Sequence, residues 1–258
     1  DTLLAPRKSL IFGGEALTAE TLHHLNSRNA TCQVYNHYGP TETTIGKLLS
    51  PIDPSAPTNI TLGTPMGNNA VDILDADHQL CPVNVIGELC ISGAGLSKGY
   101  LNDPDQTAGK FVPHPYRPGV QMYRTGDLGS RRPDGTIVYA GRKDDQVKIR
   151  GHRVEPTETN HHLQQHPAVK TSVIRPYAQA GETTLIAYVV SETVLDPAVL
   201  HGYLSKGLPD YMLPGKYMQI EALPLTPNGK VDHQRLPSPE AGQDDESAYW
   251  FPEVDGKT

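Results

Sequence analysis

The segment Gly141-Arg142-Lys143-Asp144-Asp145-Gln146-Val147-Lys148-Ile149-Arg150-Gly151-His152-Arg153-Val154-Glu155 sets a charge-dense turn directly against an alternating apolar and basic run. The alternation places Val147 and Ile149 on one side of the chain and Lys148 and Arg150 on the other, which predicts a short strand with one buried face. The residues ahead of it are too polar for a core, and Gly151 behind it suits a tight reversal. Such a segment either joins two structural units or forms a charged hairpin on the surface of one. On these residues alone the surface hairpin is the simpler reading.

Towards the N-terminus the pattern is mixed. The apolar run from Lys8 to Phe12, an amphipathic stretch from Thr18 to about Arg28 with Leu22 and Leu25 on one face, and a second apolar run from Cys32 to Tyr35 predict strand, helix, strand. That is one βαβ unit of a parallel sheet, too few strands to cover a core alone, so the chain reads as starting inside a domain. Pro51 to Asn69 shows no periodicity and reads as a crossing loop. Short strands are then predicted at Val71 to Asp75, Ile86 to Ser92, Gln121 to Tyr123 and Thr136 to Ala140, separated by turns such as Pro133-Asp134-Gly135, with one helix from Pro104 to Lys110. Within this region Gly93-Ala94-Gly95-Leu96-Ser97-Lys98-Gly99 is not a dinucleotide loop, because its third glycine comes one residue late and no βαβ unit surrounds it.

Towards the C-terminus the pattern becomes α+β. Pro156 opens a predicted helix to about His166, strands follow at Lys170 to Pro176 and Thr184 to Ser191, Asp196-Pro197 caps a second helix, and a last strand covers Tyr217 to Ile220. His162 and His166 have the i, i+4 spacing of two metal ligands, but no third ligand accompanies them. From Ser238 the chain is rich in Glu, Asp, Gly and Ser and reads as an interdomain linker.

Bulk properties exclude several classes. A hydrophobic content of 37% with 24 Gly and 23 Pro in 258 residues describes a loop-rich chain that mixes strands and helices. The net charge of −7 argues against a nucleic-acid surface, and no apolar run reaches the length of a membrane span. Asp1 to Arg7 lacks a signal-peptide pattern, so the expected location is cytoplasmic. Cys32, Cys81 and Cys90 are odd in number and widely spaced, which suggests neither a disulfide framework nor a metal knuckle.

Four further stretches accompany the first in fixed order. They are Asn36-His37-Tyr38-Gly39-Pro40-Thr41-Glu42, Gly87-Glu88-Leu89-Cys90-Ile91-Ser92-Gly93 with Gly99-Tyr100-Leu101, Tyr123-Arg124-Thr125-Gly126-Asp127-Leu128, and Pro227-Asn228-Gly229-Lys230-Val231-Asp232. Together the five resemble the adenylate-forming enzymes, most closely the amino-acid adenylation domains of nonribosomal peptide synthetases. The resemblance implies a fold of α/β and α+β character: a partial large domain, made of the βαβ unit in residues 1–50 and a β-rich subdomain in 51–143, then a small mobile α+β domain in 144–237 and a linker towards a carrier domain in 238–258. It also implies ATP and Mg²⁺, an amino-acid substrate, a phosphopantetheine-bearing carrier domain, and neighbouring synthetase domains as partners, with no nucleic acid and no membrane.

Roles follow from the resemblance, each with a chemical reason. Tyr38 offers an aromatic face to adenine on a turn fixed by Gly39-Pro40, Thr41 donates to the α-phosphate, and Glu42 supplies a hard oxygen to Mg²⁺. Asp127 accepts from the ribose hydroxyls, reinforced by Arg142; an ordinary salt bridge is the plain alternative for that pair. Lys230 is the catalytic ammonium between the substrate carboxylate and the α-phosphate. Asp144 matches the hinge about which the small domain turns, and Gly151 lets the carrier arm pass close to backbone. Ile11, Gly13, His37, Ile45 and Gly46 match walls of the amino-acid pocket, where Gly46 leaves space and His37 offers a donor or a positive charge; the set is most like aspartate pockets, then asparagine.

The chain departs from the family pattern at His233, where an arginine is usual, and at Pro156-Thr157-Glu158-Thr159. The Gly/Ser/Thr-rich phosphate loop and the aspartate that grips the substrate amino group are not in these residues, so the chain reads as the C-terminal part of a domain, inactive without its N-terminal half. An aryl-acid or acyl-CoA ligase of the same superfamily, or a non-catalytic carrier-docking fragment, are the alternatives.

Overall fold

In the computed structural model, which describes residues 8–27, 32–179, 182–239 and 249–250, the chain opens with a strand–helix–strand turn. Strand β1 (Ser9–Gly13), helix α1 (Ala19–Ser27) and strand β2 (Gln33–Tyr38) leave β1 and β2 parallel, with Ile11 opposite Tyr35 and Gly13 opposite His37. The apolar stripe of α1 covers the pair: Leu22 is fully buried, and Leu25 packs on Leu17, Val34 and Ile52. Strand β3 (Leu48–Ile52) returns antiparallel along β2, and β4 (Thr64–Pro65) pairs with Leu48 and Leu49. The loop expected from Pro51 onward is corrected here, since Pro51 and Ile52 belong to β3. Because β4 pairs no further than Leu49, β3 is a sheet edge at Pro51, and an edge tolerates a residue with no N–H to give.

A second, antiparallel sheet follows. Strands β5 (Asn69–Leu74) and β6 (Gly87–Gly93), helix α2 (Pro104–Lys110), and strands β7 (Phe111–Pro113), β8 (Gln121–Arg131) and β9 (Ile137–Arg142) give the order β5-β6-β8-β7, with β9 also on β8. Helix α2 has the predicted bounds because Pro104 fills its first position and the Asp103 side chain accepts from Gln106 N. Strand β8 is far longer than the predicted Gln121 to Tyr123, since Gly126 and Gly129 interrupt its apolar alternation without ending its pairing. Leu48, Val71, Leu89, Ile91 and Ile137 form the core that ties this sheet to β3.

The chain divides after Asp144 into two compact units, residues 1–144 and 145–258. The second unit begins with the quoted segment, where β10 (Val147–Ile149) and β11 (His152–Val154) form a hairpin closed by Arg150 and Gly151. Both turn residues have positive φ, 51° and 79°, the requirement of a two-residue turn matched to strand twist. Ile149 is buried with Val154, and Lys148 is exposed, as the alternation predicts. Helix α3 (Pro156–Gln164), strands β12 (Thr171–Gln179) and β13 (Glu182–Val190), helix α4 (Pro197–Leu204), and strands β14 (Lys216–Gln219) and β15 (Tyr249–Trp250) complete the unit.

Strand β13 lies between antiparallel β12 and parallel β14, and is buried on both faces. That accounts for its unbroken apolar run, Leu185-Ile186-Ala187-Tyr188-Val189-Val190. Helix α3 stops at Gln164, short of the predicted His166, because Pro167 biases the residue before it away from helix. Residues Tyr249–Trp250, inside the predicted linker, pair with Tyr217 and Met218; the rest of that linker after Pro239 lies outside the described residues.

Leu163 is fully buried in the core of residues 145–258, among Ile174, Leu185 and Leu200. Leu163→Ala is expected to destabilise that unit by about 3 kcal/mol through lost burial and the cavity left behind. Native-state hydrogen exchange should show faster exchange in β12 and β13 and unchanged protection in β5, β6 and β8.

Candidate active site

The site in residues 1–144 is built on the loop that leaves β2. Tyr38 ends the strand, Gly39-Pro40 turns the chain, and Thr41–Thr43 form one turn of 3₁₀ helix. The loop closes when Lys47 N donates to Tyr38 O at 2.8 Å. Thr44 and Ile45 both take left-handed backbone angles, φ 65° and 60°. For β-branched residues this costs on the order of 1–2 kcal/mol each. Ile45 N and Thr43 N both donate to Pro40 O, Thr44 N donates to Thr41 O, and together these hold the reversal. Gly39 is obligatory: a Cβ there would lie 1.3 Å from the Ile45 carbonyl oxygen.

This loop also brings the predicted pocket residues together. The His37 imidazole lies against both Gly13 and Gly46; a Cβ at Gly46 would meet its Nε2 at 1.7 Å, and one at Gly13 would meet the His37 carbonyl at 3.0 Å. The space beside Gly46 is therefore filled by the ring of His37, which differs from the expectation that it is open. Ile11 and Ile45 are exposed, at 59% and 63%.

Asp127 faces Tyr38 from the second sheet. Bulges on either side of β8 aim it: three residues, Thr125, Gly126 and Asp127, oppose only Leu89 on β6, and Ala140 is the extra residue on β9. Asp127 consequently lies directly opposite Arg142, whose Nη1 donates to Oδ1 at 2.8 Å, while the Tyr38 hydroxyl donates to Oδ2. Arg142 further donates through Nε and Nη2 to the two oxygens of Asp144, at 2.6 and 2.8 Å. Burial opposes its charge, but the bonds to Asp144 and the charge of Asp127 outweigh burial and raise its pKa. Burial, and then the Asp127 charge, hold the Tyr38 hydroxyl well above the ordinary tyrosine range, so it stays a donor.

Three residues not singled out as site residues in the sequence stand in this cluster. Tyr139 is 42% exposed beside Asp127, its hydroxyl pushed up to about 12 by burial and then by the Asp127 charge. In the sequence it is marked only as an aromatic residue three positions before Arg142. Tyr100 donates to Glu42 Oε1 at 2.7 Å, and Glu42 is buried at 8% exposure. Lys47 is also buried, donating to Asn69 Oδ1 at 2.8 Å and to Ala94 O at 2.5 Å, and burial lowers its pKa. Thr41 itself is exposed at the start of its turn.

The remaining predicted residues lie in residues 145–258. Lys230 is exposed on a hairpin in which Gly229 N donates to Thr226 O at 2.9 Å and Thr226 N donates to Lys230 O at 2.7 Å. Gly229, at φ 76°, is the bulge residue that allows it. Gly151 is exposed in the β10–β11 turn. His166 packs edge-on against Tyr203, and His162 faces Gly207. Among the described residues no three His, Cys, Asp or Glu side chains gather to hold a metal, and no helix is long and apolar enough to cross a membrane.

Comparison with known proteins agrees with this architecture. The family model described as AMP-binding enzyme matches residues 2–101. Tyrocidine synthase 3 of Brevibacillus parabrevis is 44% identical over 243 residues, covering 94% of this chain and 4% of that protein. The dimodular nonribosomal peptide synthase of Bacillus subtilis (strain 168) is 43% identical over 233 residues, 90% of this chain and 10% of that protein. The chain thus spans a small fraction of the length of the curated relatives it matches. Among solved structures, holo-PA1221, an NRPS protein containing adenylation and PCP domains, superposes with a TM-score of 0.75 at 29% identity, over 88% of this chain and 39% of that one. The chain belongs to the AMP-binding enzyme family, where it is homologous to the adenylation modules of nonribosomal peptide synthetases.

Proposed function

We propose that this chain is the C-terminal part of an adenylation domain that activates an amino acid with ATP and passes it to a carrier thiol. The observation that carries the reading is the convergence of Tyr38, Asp127 and Arg142 beside the Thr41-Glu42 turn. In the first half-reaction a carboxylate oxygen of the amino acid attacks the α-phosphorus, the bond to the β-phosphate bridging oxygen breaks, and pyrophosphate leaves. In the second, the phosphopantetheine sulfur attacks the acyl carbon, AMP leaves, and the thiol proton passes to solvent.

The residues divide this work. Each Asp127 oxygen accepts one bond from the protein and has room for another from a ribose hydroxyl. Arg142, already tied to two carboxylates, fixes the position of Asp127 more than it adds charge. Tyr38 and the more exposed Tyr139 offer aromatic faces for adenine. Thr41, exposed at the tip of the turn, is free to reach a phosphate oxygen. Glu42, a buried carboxylate in the Thr41–Thr43 turn, offers the hard oxygen donor that Mg²⁺ takes, an ion commonly held by one or two carboxylates together with substrate phosphates. When bound, the ion neutralises charge that gathers on the phosphates. Lys230 supplies a mobile ammonium for the adenylation step, Asp144 serves as the hinge, and Gly151 passes the carrier arm.

For the amino acid we propose aspartate first and asparagine second. His37, beside Gly13 and Gly46, carries ring nitrogens of the kind that pair with a side-chain carboxylate or amide. The test is amino-acid-dependent ATP–pyrophosphate exchange with the chain joined to the N-terminal half of its parent gene. Exchange led by aspartate is expected; silence with every amino acid, in a folded protein that binds ATP, would move the reading to an aryl-acid ligase or a docking fragment.

Two substitutions sharpen the test. Lys230→Ala should lower the adenylation kcat by roughly 10²–10³-fold with little change in the KM for ATP, as for loss of one transition-state charge contact. Transfer from a supplied aminoacyl adenylate to the carrier thiol should survive in that variant. His37→Ala should erode the preference for aspartate over alanine in competition assays, by roughly 10-fold or more for one lost polar contact.

A further inference from the structure

The glycine-rich segment from Gly93 to Gly99 and the tyrosine that follows it have no assigned part in this chemistry, yet they are fastened to the Thr41–Lys47 loop at successive points. Lys47 Nζ donates to Ala94 O at 2.5 Å, Thr44 Oγ1 to Gly95 O at 2.7 Å, and Ser97 N to Glu42 O at 2.8 Å. The approach is so close that a Cβ at Gly95 would lie 2.9 Å from Lys47 Nζ. The segment ends at Tyr100, which is fixed at both ends of its residue. Its backbone N donates to Thr107 Oγ1 at 2.8 Å, beside the capped start of α2, and its ring packs edge-on against Phe111 at 5.9 Å. Its hydroxyl then donates to Glu42 Oε1 at 2.7 Å and lies 3.2 Å from the hydroxyl of fully buried Tyr123.

We propose that Tyr100 is a positioning residue for Glu42, holding that carboxylate in the orientation in which it receives the divalent cation of the nucleotide, with the glycine-rich segment as the strap that sets Tyr100 in place. The proposal rests on the reading of Glu42 given above. A hydrogen bond from an immobilised phenol orients a metal-binding carboxylate and limits the rotamers it samples; loss of such an outer partner typically weakens metal binding by about 10-fold to 100-fold. Tyr100 does not touch nucleotide or metal in this role and acts only through Glu42.

The test uses Mn²⁺ as the probe, in the full-length protein that carries this chain, with a non-hydrolysable ATP analogue present. Bound Mn²⁺ is read from the loss of the free-ion electron paramagnetic resonance signal. Tyr100→Phe, which keeps the ring against Phe111, is expected to weaken Mn²⁺ binding about 10-fold while the protein keeps a single cooperative thermal melt, lowered only by the loss of a buried hydrogen bond. Glu42→Gln should weaken it as well, and the double variant should bind no more weakly than Glu42→Gln alone, because one residue works through the other. If Tyr100→Phe does not fold, Thr107→Val, which removes the anchor of the Tyr100 backbone together with the Thr107 Oγ1 bond to Asp103 O at 2.7 Å, should show a smaller weakening in the same direction. Unchanged Mn²⁺ affinity in the folded Tyr100 variant, or losses that multiply in the double variant, would overturn the positioning role and leave the adenylation reading standing. A wild-type protein that takes up no Mn²⁺ with the analogue would overturn both.

Discussion

The close approach of the Ile45 carbonyl to Gly39 is the constraint on which the site depends. A carbonyl oxygen stands where any side chain at position 39 would begin, so the chain can double back there only through glycine. That reversal sets Tyr38 at one end and Lys47 at the other, puts Thr41 and Glu42 at its tip, and lowers Gly46 onto the ring of His37. The strain at Thr44 and Ile45 is tolerated because the bonds around Pro40 and the tethers to residues 94–97 determine the loop from several sides. A loop held this way is pre-organised, which suits the proposed encounter with a highly charged nucleotide, since the site does not have to order itself first.

The second sheet supplies the other half of the arrangement by a different device. Its strands are bulged around Asp127. Without the bulges on either side of β8, alternation would point Asp127 by strict parity and would not set it opposite Arg142. Local irregularity and proposed role coincide here, as they do in the left-handed residues after Glu42.

Much of the fold was legible in the sequence for plain reasons. The α1 stripe, the Asp103-Pro104 and Asp196-Pro197 caps, and the alternation of Val147 to Arg150 are local signals, and the elements they announce are present. What escaped was non-local. Strand β3 runs through a proline that is acceptable only because its outer neighbour has ended, and β8 continues through two glycines because its partners keep it extended. The motif positions Tyr38, Asp127 and Arg142 were named from the sequence as candidates, whereas Tyr100 and Lys47 take their meaning from partners far away in the chain that no motif pairs with them. The filling of the space at Gly46 by His37 was hidden for the same reason, since a glycine in a sequence does not say which neighbour occupies its vacancy.

The guanidinium of Arg142 is shared between Asp127 and Asp144, and Asp144 is the last residue of its unit. One cation therefore serves two anions, and their fates are linked through it. Neutralising residue 144 returns a full positive charge to Asp127, tightening that pair and altering what the carboxylate offers to a third group. On the proposed roles of Asp144 as hinge and Asp127 as ribose acceptor, kinetic effects of substitutions at position 144 contain an electrostatic component felt at Asp127, and a charge-preserving exchange to glutamate separates the mechanical contribution of that position from the electrical one.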